Sequence, residues 1–297
     1  MLVAIVTTSW PRSEDDAAGH FVRADARDRE RRGAHIEVIA PPLSRDGGGA
    51  FGWPGAAARM RAHPLRAALA ARWVLEARRL VARLDADLVV AHWAIPCAWP
   101  IGVVTRGALE VVSHGGDVRG LARAPLAFRS LVAVAIAEKA ARWTFVSARL
   151  RDDLLEGLGA AARSKVERVA HVSPAPIEMP DVSEAARAIR RSLAGRRTAV
   201  CVGRLVTSKR VDRAVEHVAR GEDFDALVIV GDGPERARLE RLARDRGVDA
   251  RFLGVLGRRD ALAWIGAADA LLHASVAEGL STVVREAEAL GTRVVRL

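Results

Sequence analysis

Short, unbroken apolar runs alternate with amphipathic helical stretches along this chain, and a proline-dense segment splits the alternation into two series. Runs such as Leu88-Val-Val-Ala91 and Ala226-Leu-Val-Ile-Val230 are apolar at every position. A strand of that kind is hidden on both faces, which points to parallel sheets covered by helices on each side. In the first series the pattern predicts strands at 2–7, 34–40, 87–92, 109–113 and 143–146. Helices are expected at 19–32, 65–84, after Pro96, at 126–141 and at 148–157, and the Pro- and Gly-rich residues 41–58 read as a loop. Val172-Ser-Pro-Ala-Pro-Ile-Glu-Met-Pro180 holds three prolines, cannot be one regular element, and reads as a linker. The second series predicts helices at 183–193, 209–220, 234–246, 258–266 and 282–290. Its strands fall at 198–202, 226–230, 250–253, 270–274 and 292–295. The α/β chain is therefore expected to form two Rossmann-like, doubly wound parallel-sheet domains, 1–175 and 176–297, with a cleft between them.

Bulk properties remove several classes. No segment approaches the roughly 18 uninterrupted apolar residues of a membrane span. Met1-Leu-Val-Ala-Ile-Val6 lacks a basic leader and reads as a first strand rather than a signal peptide. Cys97 and Cys201 lie far apart with no metal-type spacing, and the eight histidines form no metal-like cluster, so a reduced, cytoplasmic setting without a metal is expected. Lys139, Lys165 and Lys209 are the only lysines among 46 basic residues, so arginine abundance reflects coding bias and no nucleic-acid partner is inferred. The net charge of +10 is uneven, with 14 Lys and Arg against 6 Asp and Glu between residues 51 and 150. Trp53, Trp73, Trp93 and Trp99 lie in that region, and Arg72 and Arg79 share a face of the 65–84 helix beside Leu65, Leu69, Trp73, Leu80 and Leu84. Such a surface is either simply solvated or attracts an anionic membrane leaflet or acceptor, at about 1 kcal/mol per basic residue near the lipid.

In sheets of this type ligands sit beyond the carboxyl ends of the strands, so the residues after each strand carry the chemistry. After the first strand comes a loop ending in Gly19-His20, where the glycine serves either as a turn or as a close approach to a phosphate. His92 ends the third strand and shapes the site or packs. Ser113-His114-Gly-Gly-Asp117 ends the fourth, placing an imidazole at a strand end; Asp117 also suits an ordinary turn or cap. Gly203-Arg204-Leu-Val-Thr-Ser-Lys209-Arg210 puts two cations around a helix start, a pattern suited to a diphosphate. Gly231-Asp-Gly-Pro234 is a strand–turn–helix junction. Finally, Glu278-Gly-Leu-Ser-Thr-Val-Val-Arg-Glu286 spans a strand-to-helix turn with Ser281 and Thr282 as candidate caps. Its two carboxylates bracket a helix N-terminus, where they can accept hydrogen bonds from sugar hydroxyls on either side of an anion. A capped amphipathic helix carrying two glutamates would look the same.

The Glu, seven residues, Glu spacing resembles the signature of the retaining family 4 glycosyltransferases (glycosyl transferases group 1) of the GT-B fold. The Gly-Arg-Leu…Lys, Gly-x-Gly-Pro and His-Gly-x-Asp runs resemble further segments of that family, in the same order. Two departures stand out: Gly279-Leu-Ser-Thr-Val lacks the usual proline, and Arg210 replaces the usual glycine. The resemblance implies a nucleoside diphosphate sugar as co-substrate, a sugar or lipid-linked acceptor, and no cofactor. It implies catalytic roles for His114 and Glu278, with Glu286 on the ribose and Arg204 and Lys209 on the diphosphate. Gly19, Gly231, Val283, Val284 and Leu253, whose loop faces the base, complete the implied donor site. Family members continue past the equivalent of Leu297, so a second domain lacking its final elements is expected. The alternatives are a GT-B-fold sugar-nucleotide epimerase and a truncated, non-catalytic nucleotide binder.

Overall fold

The computed structural model describes residues 1–42, 49–51, 56–221, 223–275 and 281–297, with 57 and 58 described by their backbone alone. Within the loop expected at 41–58, residues 43–48 and 52–55, including Trp53, lie outside the described residues. So do Glu278 and its neighbours from 276 to 280. The chain divides into two units, one of Met1–Arg12 and Ala18–Pro176, the other of Ser13–Ala17 and Ile177–Leu297.

The first unit runs β1 (Leu2–Val6), α1 (His20–Arg31), β2 (His35–Ile39), α2 (Ala56–Ala62), α3 (Leu65–Arg83), β3 (Leu88–His92), β4 (Ala108–Ser113), α4 (Gly116–Ala122), α5 (Leu126–Lys139), β5 (Ala140–Phe145), α6 (Ala148–Leu155), α7 (Ala160–Val169) and β6 (Ala170–Val172). Its six strands pair in parallel in the order β2-β1-β3-β4-β5-β6. One face packs Val89, Val111, Trp143 and Phe145 against α3 and α5 through Trp73, Val81, Val132 and Ile136, while the other packs Val3, Ile5 and Val90 against Val22 and Ala26 of α1. Each such side chain, fully buried, contributes about 1.5–3 kcal/mol. The strand order reverses beside β1, between β1 and β3, so a ligand crevice belongs at their carboxyl ends.

The second unit runs α8 (Ser183–Ser192), β7 (Thr198–Val202), α9 (Val211–Ala219), β8 (Ala226–Val230), α10 (Arg236–Asp245), β9 (Ala250–Gly254), α11 (Arg258–Ala267), β10 (Ala270–His273), α12 (Thr282–Ala289) and β11 (Arg293–Arg296). Its five parallel strands are ordered β11-β10-β7-β8-β9, with the reversal between β7 and β10. Leu227, Ile229 and Leu272 pack on one face, Val200, Val228 and Leu271 on the other.

The elements differ from the sequence expectation in five places, the first being helix α2, which begins inside the loop expected at 41–58. The helix expected after Pro96 is an irregular helical turn over Ala94–Ile101, because Ile95 and Trp99, each preceding a proline, have extended backbone. Helix α4 starts within the Gly115-Gly116 pair, where a turn was expected. Helix α7 and strand β6 occupy residues left unassigned, and β6 takes Val172 from the expected linker, leaving 173–180 without regular structure. A tight turn over Thr207–Lys209 precedes α9, so Lys209 stands before the helix and not in it. On α3, the apolar stripe splits: Trp73, Ala77 and Val81 face the core at four-residue spacing, whereas Leu65, Leu69 and Leu80 are exposed.

Asp117 ties the ends of two central strands together. Its Oδ2 accepts from Ala94 N at 2.7 Å and its Oδ1 from Gly115 N at 3.0 Å. Both donors lie two residues past their strands, β3 and β4. Asp117→Ala should lower unfolding free energy by about 1–3 kcal/mol, the cost of orphaning buried donors. Urea melts of the two proteins would show it, and an unchanged midpoint would mean that water replaces the carboxylate.

Candidate functional site

In the second unit the reversal point gathers two segments. After β7, Gly203 N donates to Val230 O at 2.9 Å, and Leu205 N to Asp232 O at 2.9 Å, so the loop is stitched to the turn after β8. The two loops meet backbone to backbone: Gly231 has φ 135°, and a Cβ there would lie 1.9 Å from the Gly203 carbonyl oxygen. Only glycine fits. Arg204 is exposed, and the Lys209 side chain folds back over Gly203. Arg210, the residue that replaces the resembling family's glycine, takes a left-handed conformation (φ 49°, ψ 41°) of the kind glycine favours.

The ammonium of Lys209 acts on groups at both strand ends. Burial pushes the Cys201 thiol up to about 12, with Lys209 only partly opposing, so this thiol is no nucleophile. Across the reversal point, burial, Lys209 and Arg296 lower His273 to about 4. Ser275 Oγ donates to Ser208 O at 3.5 Å, joining the loops after β10 and β7.

Ser281 caps α12 by position, but its side chain makes no cap hydrogen bond. The N–H groups of the first turn, at Thr282, Val283 and Val284, therefore keep the polarity that favours an anion. The side chain of Val284 is buried in the core and that of Val283 packs against it, which leaves only their backbone for a ligand. Glu286 is buried and its Oε1 accepts from Arg258 Nη2 at 2.9 Å. Arg258, itself buried, also donates to Glu178 O. It was not singled out in the sequence, where it opens an ordinary helix among many arginines. Leu253 lies in β9, within the strand expected at 250–253. Register skips it, with Ile229 opposite Phe252 and Val230 opposite Gly254, so its backbone leaves the regular ladder at a bulge. Glu278 lies outside the described residues.

In the first unit, Gly19 caps α1 with φ 75°, and a Cβ there would meet Ser9 O at 2.3 Å. His114 sits at the end of β4, half-buried, between Phe21 (ring centroids 4.5 Å) and Trp93 (5.1 Å). Trp93 holds φ 83°, a region bulky residues avoid, directly after β3. His92 is buried; its Nδ1 lies 2.9 Å from His114 Nε2 and its Nε2 3.3 Å from Asp25 Oδ2. Arg29 Nε donates to Asp25 Oδ2 at 3.0 Å, and Arg29 Nη2 to Glu110 Oε2 at 2.7 Å. Burial pushes His114 well below the usual imidazole value, and the neighbouring His92 adds to this against Asp25. At Asp25 burial opposes ionisation, but the His92 hydrogen bond and the neighbouring Arg29 guanidinium outweigh it and hold the carboxyl low. Asp25 and Arg29 were missed in the sequence, although Val22, Asp25, Ala26 and Arg29 follow the spacing of one buried helix face. Asp117 serves the backbone, as described, and does not face a ligand.

Residues 182–296 match the family model described as Glycosyl transferases group 1. The chain is 36% identical over 170 residues to 2-deoxystreptamine glucosyltransferase of Streptomyces kanamyceticus, a match covering 52% of this chain and 42% of that protein. It is 31% identical over 233 residues to GDP-mannose-dependent alpha-(1-6)-phosphatidylinositol monomannoside mannosyltransferase of Mycobacterium tuberculosis (strain ATCC 25618 / H37Rv), covering 73% and 60%. The chain thus spans less than two thirds of these curated relatives. Among solved structures it resembles a sucrose-phosphate synthase from Thermosynechococcus elongatus (TM-score 0.73, 18% identity, 100% of this chain and 81% of that one). It also resembles Anabaena HepE in complex with UDP and glucose (TM-score 0.65, 18% identity, 100% and 80%). These structures show the fold: two parallel-sheet α/β units as in GT-B glycosyltransferases.

The His273 environment sets a pH dependence. Its folded value, about 4, lies below the ordinary 6.5, so protonation favours the unfolded chain. The neutral ring's contribution is complete above about pH 6.5 and is lost progressively as pH falls towards 4. His273→Gln should flatten that decline in thermal midpoint, and parallel curves for the two proteins would contradict the assignment.

Proposed function

We propose that this chain transfers a sugar from a nucleoside diphosphate donor to an acceptor, with retention of anomeric configuration and without an essential metal. The observation supporting this reading is the reversal point of the second sheet, where Arg204 and Lys209 follow β7 in sequence and α12, whose Ser281 makes no side-chain cap bond, follows β10. Two cations and oriented N–H groups would bind the diphosphate and stabilise the charge that grows as it leaves, the work a divalent ion does elsewhere. Glu286, held by Arg258, would accept from ribose hydroxyls. Val283 and Val284 would contribute backbone N–H groups. The bulge at Leu253 would present backbone to the base, and the close loops at Gly19 and Gly231 would let backbone approach the donor. Glu278 would face the donor sugar, and His114 would be the second catalytic residue. The relatives named above are transferases, and nothing favours the epimerase reading.

The first unit would carry the acceptor side and a peripheral contact with the inner leaflet of an anionic membrane. Among the described residues no helix is long and apolar enough to cross one. What supports the contact is α3, where Leu65, Leu69 and Leu80 stand exposed with Arg72 and Arg79, and α5, where Leu126, Phe128 and Leu131 do the same. Salt-sensitive sedimentation with phosphatidylserine vesicles checks it, and no binding even at low ionic strength would leave the patch as plain solvated surface.

Thermal-shift titration with UDP-, GDP- and ADP-sugars identifies the donor. Arg204→Ala or Lys209→Ala should weaken binding of the stabilising nucleotide by about 1.5–3 kcal/mol, a charge-assisted hydrogen bond. Glu286→Gln should raise the donor dissociation constant, while Glu278→Gln should mainly lower turnover. Unchanged affinity in both cation variants would overturn the diphosphate site.

A further inference from the structure

His114 has one ring nitrogen engaged, Nε2 with His92 Nδ1, and its Nδ1 has no partner among the described residues. What Nδ1 can offer a ligand depends on where the protons of the buried chain reside. Asp25 Oδ2 is a carboxylate oxygen already accepting from Arg29, and a carboxylate only accepts, so the nitrogen of His92 facing it, Nε2, must carry hydrogen. A neutral His92 has one N–H, so its Nδ1 is then a bare acceptor. With His92 neutral, the short 2.9 Å contact requires a proton between the rings that comes from His114 Nε2. A neutral His114 with hydrogen on Nε2 has none on Nδ1.

The groups facing this chain support that order. Arg29 spans Asp25 and Glu110, so α1 and β4 place one guanidinium between two carboxylates and leave Asp25 an ionised acceptor for His92. Phe21 and Trp93 flank His114 without offering a hydrogen-bond acceptor to its ring nitrogens. The two imidazoles are nearly parallel (7°), and Asp117, the next acidic group, is committed to backbone N–H groups.

We propose that Asp25 and His92 are positioning residues that fix His114 in the Nε2–H tautomer, presenting a bare Nδ1 that accepts a hydrogen bond from a sugar hydroxyl. The role of that acceptor rests on the glycosyl-transfer reading above, but the tautomer does not. A hydroxyl donating to Nδ1 would be held in one orientation, and its oxygen would gain electron density. Sugars lacking that hydroxyl, or bearing an ether in its place, would be poor ligands at this position.

The test is assignment of the imidazole nitrogens by long-range proton–nitrogen correlation on the ¹⁵N-labelled full chain, at about pH 8 so that free imidazole is neutral. The wild type should show His114 with a protonated Nε2 and an unprotonated Nδ1. Asp25→Ala removes the acceptor that orders the chain while Arg29 keeps Glu110, so it should give a mixture of His114 tautomers. In that variant kcat should fall while donor KM holds, the split expected of a residue that orients His114 without touching the donor. Asp25→Asn keeps an acceptor oxygen and should restore the single tautomer and most of kcat. A wild-type His114 protonated on Nδ1, an unchanged tautomer in Asp25→Ala, or Asp25→Asn as impaired as Asp25→Ala would each overturn the proposal. Should the wild type transfer no sugar, the functional reading fails, whereas the nitrogen assignments still decide the tautomer.

Discussion

Burial of both sheets on both faces is the constraint on which the remaining structure depends. Strands such as β3 and β8 have no exposed residue, so no side chain within them can meet a ligand except at the last position. Chemistry is thereby confined to strand ends and to the loops beyond them. His92 and His273 are the last residues of their strands, and His114, Gly203 and Gly231 follow directly after theirs. The strand order then chooses among the ends, because helices leave the sheet in opposite directions at each reversal.

That logic is also why much of the fold was legible without coordinates. Continuous apolar runs mark parallel strands, and their spacing from amphipathic stretches gives the order of elements. The misjudged places are those where local backbone chemistry overrides pattern. Around Pro96 and Pro100 a helical composition cannot continue through the extended residue before each proline. At Gly115-Gly116 a turn signal and a helix start are the same residues. Residues 158–171 carry a weak apolar pattern, with Val166 the one buried residue of α7, so periodicity gave little to read.

The site was legible where residues stand in a loop of recognisable spacing, as at Gly203 to Lys209. It was not legible where function depends on a partner remote in sequence. Asp25 and His92 lie 67 residues apart, Arg258 and Glu286 28 apart. In both cases a charged residue on a helix looks solvated until its face is known. The Arg258–Glu286 pair also sets two opposite charges in contact within a buried site. Its cost is desolvation of two charges, offset only while both partners are present.

The contact of Gly203 with Gly231 restricts how this chain can diversify. A methyl group at Gly231 would fall inside the van der Waals radius of the opposing carbonyl, so neither loop can change shape without the other. The backbone track beneath Lys209 is therefore a fixed rail on which side-chain replacement has no purchase. Any discrimination between ligands has to be written at positions whose side chains are free to vary in size, away from this crossing. Two chains with the same crossing can thus share one backbone track and differ in every side chain around it.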